Sequence, residues 1–176
     1  MLLAYAILLP DTVHNRVRET QLAIEREYGR NPTLRLEPHI TLKQPFEAAT
    51  LEPFVTYLED LAHDVPSFEI VITGIRSFDD GTLFLDVIQD PRLGILRRRI
   101  LRDLVAQGVR PAPVEDGRYH FHATLAAGLP PDEFARAQAT LERTHVEFRF
   151  IFDTLGLFCG LGPEEWIVYW RAPVRA

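Results

Sequence analysis

A chain of 176 residues with 47% apolar content can bury one core, and its formal charge of −6, with 18 arginines and one lysine, excludes the basic excess that gripping long nucleic acid requires. The first apolar run, Met1 to Leu9, stops at Pro10-Asp11, too short to span a bilayer and without a basic leader, so it reads as a strand of a soluble protein. The single cysteine, Cys159, excludes an internal disulfide and reads as a small buried apolar residue, with a reducing cytoplasm as the default location.

In chain order, the strand Leu2 to Leu9 is followed by a helix capped at Asp11 or Thr12 and running to about Tyr28, with Val13, Val17, Leu22 and Ile24 inward and Gly29 ending it. After the turn Arg30-Asn31-Pro32 comes a strand from Leu34 to Lys43, ended by Pro45. A helix from Leu51 to about His63 puts Leu51, Phe54, Val55, Leu58 and Leu61 on one face. Phe68 to Phe78 alternates like a half-buried strand, and Asp79-Asp80-Gly81-Thr82 turns it into a partner, Leu83 to Ile88. A helix from Pro91 to about Gln107 turns Leu93, Leu96, Ile100, Leu101 and Leu104 inward, which leaves Arg97-Arg98-Arg99 with Arg102 as a solvated face or a local anion patch. Arg110 to Arg118, with two prolines and Glu115-Asp116-Gly117, reads as a loop and candidate lid leading into a strand from Tyr119 to Ala126. A helix from Asp132 to about Arg143 and two strands, Val146 to Phe158 and Trp166 to Arg171, complete the chain.

Two of these strands carry the same short motif. His39-Ile40-Thr41-Leu42 recurs 83 positions later as His122-Ala123-Thr124-Leu125, where chance predicts only about 0.4 His-x-Thr pairs in the whole chain. Side chains alternate along a strand, so each copy offers an imidazole and a hydroxyl on one face and apolar groups on the other. The order strand, helix, motif strand, helix, strand also occurs twice, and the last strand of each unit, Phe68 to Phe78 and Phe148 to Phe158, has the same spacing. Two such units packed about a two-fold axis would face the two His-Thr pairs across one cleft. Near neutral pH one imidazole can take a proton while the other gives one, and the hydroxyls can donate to phosphate oxygens, which suits transfer at a phosphodiester without a metal.

The two His-x-Thr motifs, about eighty residues apart in a duplicated α+β chain, resemble the 2H phosphoesterase superfamily, which includes the LigT-like 2′-5′ RNA ligases and cyclic phosphodiesterases. The likeness extends over essentially the whole chain, 1–176, read as a single domain with two internal lobes. It implies a bilobal fold, two pseudo-symmetric lobes of antiparallel sheet with flanking helices around a central cleft. It also implies metal-independent cleavage of 2′,3′-cyclic phosphates or related nucleotide and RNA-end phosphodiesters, with reversible 2′-5′ ligation in some members. On this likeness His39 and His122 are the acid/base pair and Thr41 and Thr124 bind phosphate. Ala123 departs mildly from the larger apolar residue more usual there.

Around this centre Lys43 shares the parity of His39 and Thr41, and His120 shares that of His122; both are candidate substrate-binding residues, as are Tyr119 and Phe46, while Tyr5 and Phe158 are further aromatics that could stack on a base. His120-x-His122 is also a metal-ligand spacing, but without a third ligand no metal or other cofactor is expected. His14, His63 and His145 read as surface residues. A small nucleotide or RNA end is the expected partner, neither duplex nucleic acid nor membrane is, and the internal duplication lets a monomer suffice. Two other readings of the same residues are a non-catalytic phosphate- or RNA-binding module using the cleft and a metal hydrolase centred on His120 and His122.

Overall fold

The computed structural model describes residues 1–112, 115, 119–162 and 165–175. Eight strands and four α-helices follow one another as β1 (Leu2–Leu8), α1 (Asp11–Tyr28), β2 (His39–Glu47), α2 (Glu52–Asp64), β3 (Phe68–Ser77), β4 (Leu83–Val87), α3 (Pro91–Ala106), β5 (His122–Ala126), α4 (Pro131–Leu141), β6 (Glu147–Phe152), β7 (Thr154–Gly162) and β8 (Glu165–Pro173). They build an α+β fold of two antiparallel four-stranded sheets, ordered β2-β1-β7-β8 and β5-β4-β3-β6.

The helices form where apolar residues recur at helical spacing. In α1 the buried stripe is Val13, Val17, Gln21, Ile24 and Tyr28. Leu22, expected inward, is 43% exposed, because the stripe steps by fours through Gln21 instead. Asp90 caps α3 by accepting from the Arg92 N–H at 2.7 Å. The hairpin between β3 and β4 closes as expected, with Gly81 at φ +87° and the Phe78 N–H donating to the Thr82 carbonyl at 2.9 Å. One continuous apolar cluster runs through both sheets, from Leu3, Tyr5 and Ile7 through Ile40, Leu42 and Leu58 to Ile72, Leu85, Ala123 and Phe152.

Several strand boundaries differ from the sequence reading; the second motif strand, for one, begins at His122 and not Tyr119. Residues Pro32–Arg35 form a 3₁₀ turn, so the first motif strand begins at His39. Pro45 lies inside that strand rather than ending it, because β2 is the edge of its sheet and proline's missing N–H costs no ladder bond there. The apolar stretch Val146 to Phe158 is two strands. After Phe152 the chain passes from the second sheet to the first through the single residue Asp153, so the counterpart of β3 is β7 and not Phe148 to Phe158.

The two repeats are interlaced as a result. β1 and β2 come from the first unit, yet β1 pairs with β7 of the second; β4 and β5 come from the second, yet β4 pairs with β3 of the first. Helix α1 packs on β5, and α3 on β2. Each motif strand is the outer strand of its own sheet and is braced by the other half of the chain.

Candidate active site

Alternation on β2 and β5 holds in the structure: Ile40, Leu42, Ala123 and Leu125 are buried, while His39, Thr41, His122 and Thr124 are half-buried on the opposite face. The strands β2 and β5 lie against each other as the exposed edges of the two sheets. An edge strand leaves carbonyls unpaired, and these are met from across the cleft. Gln21 of α1 donates through Nε2 to the Thr124 carbonyl at 3.0 Å, while Asn31 Nδ2 and Thr33 Oγ1 reach the Leu125 carbonyl at 2.8 and 2.9 Å. In the other direction, the Tyr119 hydroxyl donates to the Thr41 carbonyl at 3.0 Å.

Both imidazoles are oriented in the same way. His39 Nδ1 lies 2.7 Å from the carbonyl oxygen of Glu37, and His122 Nδ1 lies 2.7 Å from that of His120, two residues upstream in each case. A carbonyl can only accept, so each Nδ1 carries the proton and each Nε2 is the remaining acceptor of the neutral ring. Phe158 packs on the His39 ring at 4.6 Å between centroids; Phe78 and Phe84 pack on His122 at 5.0 and 5.2 Å. Burial pushes the pKa of His39 below its ordinary value, the Glu37 carbonyl opposes this, and His122 is close enough that its charge lowers it further. Burial likewise lowers that of His122, as does the neighbouring charge of His120, against the His120 carbonyl and the carboxylates of Asp80 and Asp86.

A cavity of about 240 Å³ brings together His39, Thr41 and Thr124 and continues along the first sheet past Phe158 to Trp166. His122 sits two residues along β5 from Thr124, at the end of that strand. His120 is 39% exposed in its side chain and binds Asp86 Oδ1 through Nε2 at 2.8 Å; Asp86 also pairs with Arg76 at 2.6 Å. Among the described residues no group of three or more His, Cys, Asp or Glu is arranged to hold a metal ion.

Two of the expected substrate contacts are corrected. Lys43 is 1% exposed and ion-paired with Glu115 at 2.9 Å, because extra residues in β2 shift its register against β1 at Tyr5 and place Lys43 opposite that core residue rather than beside Thr41. Phe46, paired with Leu3 and 5% exposed, is a core residue packed on Tyr5 and Phe54 at 5.9 and 5.1 Å. Tyr5 is fully buried and donates to the Phe54 carbonyl. Tyr119 reaches the site through β2's backbone, with Arg97 stacked 4.0 Å over its ring. Arg97 is thus 6% exposed rather than part of a solvated face, while Arg99 pairs with Asp64 and Arg102 with Asp103. Of the candidate lid, Glu115 is anchored to β2, and residues 113, 114 and 116–118 lie outside the described residues. The bracing residues Gln21, Asn31 and Thr33 escaped the sequence reading; the one signal was a glutamine at an inward position of α1.

Two interlaced antiparallel sheets whose outer strands set matched His-Thr pairs against each other define a phosphoesterase of the two-histidine class. The 2′-5′ RNA ligase superfamily model matches residues 9–160, and the chain belongs to that family. A Geobacillus thermodenitrificans protein named "Putative phosphoesterase" is 30% identical over 138 residues, 76% of each chain, and a Bacillus pumilus protein of the same name is 25% identical over 161 residues, 88% of each. In fold the chain is similar to TT0787 of Thermus thermophilus (TM-score 0.71, 19% identity, 99% of this chain and 98% of that one). It is also similar to E. coli LigT complexed with 3′-AMP (TM-score 0.66, 16% identity, 98% and 97%); other LigT structures contain ATP, NADP+ or phosphate. The protein is an enzyme of the phosphodiesterase type, and no helix among its described residues is long and apolar enough to cross a membrane.

Proposed function

We propose that this enzyme hydrolyses 2′,3′-cyclic phosphates or related nucleotide and RNA-end phosphodiesters, without a metal, using His39 and His122 as general acid and base and Thr41 and Thr124 as phosphate donors. The observation that carries the reading is the matched pair of imidazoles. Each is held by Nδ1 on a backbone carbonyl so that Nε2 is available, and the rings are near enough to influence each other's protonation. One Nε2 takes the proton of an attacking water while the other returns a proton to the leaving 2′- or 3′-oxygen. The P–O bond to water forms as the P–O bond to the leaving oxygen breaks. The two hydroxyls donate to non-bridging oxygens as their charge grows. With an RNA 5′-hydroxyl in place of water, the same forward step forms the P–O5′ bond as the P–O3′ bond breaks and joins a 2′-5′ linkage. The nucleotides held by LigT support a small nucleotide or RNA end as the substrate, as does the acidic balance of this chain. With 2′,3′-cyclic AMP as substrate, His39→Ala and His122→Ala should each lower turnover at least about 100-fold with an unchanged thermal midpoint, and a chelator should have no effect. Full activity in either variant, or loss of activity to the chelator, refutes the assignment.

A further inference from the structure

The two flanks of the motif pair are unequal, and the inequality says where the bulk of a substrate goes. Beside the second motif, Thr124 pairs across the sheet with Phe84, whose ring stacks on Phe78 at 4.1 Å, and both rings pack on His120 and His122. That flank is filled. Beside the first motif the position equivalent to Phe84 is Ala6, opposite Thr41, and the same face of the sheet continues as Ala4. The cavity that holds His39, Thr41 and Thr124 runs over these alanines to Phe158 and Trp166. Trp166 faces Gly160 across the β7–β8 pair, where a Cβ would meet the indole at 3.3 Å; the glycine lets the ring lie against the strand. The result is an apolar slot whose floor, Ala4, Ala6 and Phe158, is packed together and buried, and whose far end is the half-buried indole of Trp166, in one cavity with Thr41 and Thr124.

Building on the phosphodiesterase reading above, we propose that this slot is the base subsite: the nucleobase of the substrate stacks on the half-buried Trp166 at its far end, and the remainder of the substrate leaves past the second motif. A flat aromatic ring is the group that gains most from an apolar slot ending in an indole, and every nucleobase has such a face. The duplication makes the assignment specific, since on the second flank the rings of Phe78 and Phe84 stand where the first has Ala6.

The test separates the base from the phosphodiester. Wild type and Trp166→Ala are compared on 2′,3′-cyclic AMP and on glycerol 1,2-cyclic phosphate, which has the same five-membered ring and no base. The ratio of the two kcat/KM values should fall about 5- to 150-fold in the variant, the range for loss of one base–aromatic stack, and Trp166→Phe should recover most of it. A ratio changed less than about threefold overturns the subsite. Trp166 also reports directly: in the Trp170→Phe protein it is the sole tryptophan, and 3′-AMP should quench its fluorescence saturably while glycerol 3-phosphate does not. Absence of quenching at millimolar 3′-AMP overturns the proposal. If wild type turns over neither cyclic phosphate, the catalytic reading fails while the titration still decides the subsite.

Discussion

Lys43 and Glu115 form an ion pair with both side chains 1% exposed, and removing either partner strands the other in the core. The Glu115 carboxylate accepts from the Lys43 ammonium and the Ala112 N–H on Oε2, and from the Gln44 N–H on Oε1. The ammonium has, besides the carboxylate, the Gln44 carbonyl at 3.0 Å and the face of Phe46 at 5.2 Å. Breaking a buried pair costs about 3–5 kcal/mol, because an uncompensated charge remains. Lys43→Met should lie near the lower end, since two backbone N–H groups still satisfy the carboxylate. Glu115→Gln should lie near the upper end, since it turns an amide dipole toward a bare ammonium. For a chain of this length that is a fall in Tm of roughly 6–20 °C. The double variant removes both charges and keeps an acceptor, so it should cost less than the sum of the singles by about 2 kcal/mol or more. Urea unfolding of all four proteins measures the cycle. Additivity within about 0.5 kcal/mol, or a single costing under about 1 kcal/mol, would show that the pair does not fasten residue 115 to β2.

Thr41→Val and Thr124→Val each delete one donor to the developing phosphate charge and should lower kcat roughly 100-fold with little change in KM; a change confined to KM would assign them to ground-state binding. Both imidazoles are held below their ordinary pKa of about 6.5, which favours the neutral form and leaves the acid as the scarcer partner, so kcat/KM should peak below about pH 6.5 and decline as pH rises; a profile still climbing at pH 8 contradicts this. The same depression makes the unfolded chain the better proton acceptor, so the stability these histidines contribute is present above about pH 6.5 and lost as pH falls through their folded values. Tm should therefore drop less between pH 7.5 and 5.5 in the His39→Ala/His122→Ala protein than in wild type. Because each sheet contains strands from both repeats, unfolding should be one transition, with coincident midpoints from far-UV dichroism and from Trp166 and Trp170, both on the first sheet.

The motif strands were legible because alternation is a local rule and the burial of Ile40, Leu42, Ala123 and Leu125 obeys it. The Asp80-Gly81 hairpin was legible for the same reason, since a positive φ is a demand that one residue meets. Lys43 defeated the rule because parity survives only while a strand keeps register with its neighbour. The residue that breaks it is visible in the pairing with Tyr5 and not in the sequence. The division of Val146 to Phe158 at Asp153 was hidden too. Neither glycine nor proline marks the crossing, and apolar residues on both sides suit either sheet. Gln21, Asn31 and Thr33 matter only because β5 is an outer strand, a property of sheet order on which local composition is silent.

Duplication supplies two equal proton carriers, whereas the proposed reaction needs them unequal, one neutral and one charged. The difference has to come from positions where the copies diverge. Two residues before each histidine stand Glu37 and His120, and across each sheet from it stand Leu8 and Asp86. On the first side the Glu37 carboxylate, paired with Arg171 at 2.6 Å, raises the pKa of His39 against burial, with Leu8 across the sheet and the Phe158 ring beside the imidazole. On the second side Asp86, itself paired with Arg76 and His120, faces His122 across the ladder; its carboxylate and that of Asp80 raise the pKa of His122, while the neighbouring His120 lowers it. An aliphatic and aromatic surrounding favours an uncharged ring, and nearby carboxylates favour a charged one. Divergence at these two positions makes the surroundings of the two rings unequal, which is what the proposed division into acid and base requires.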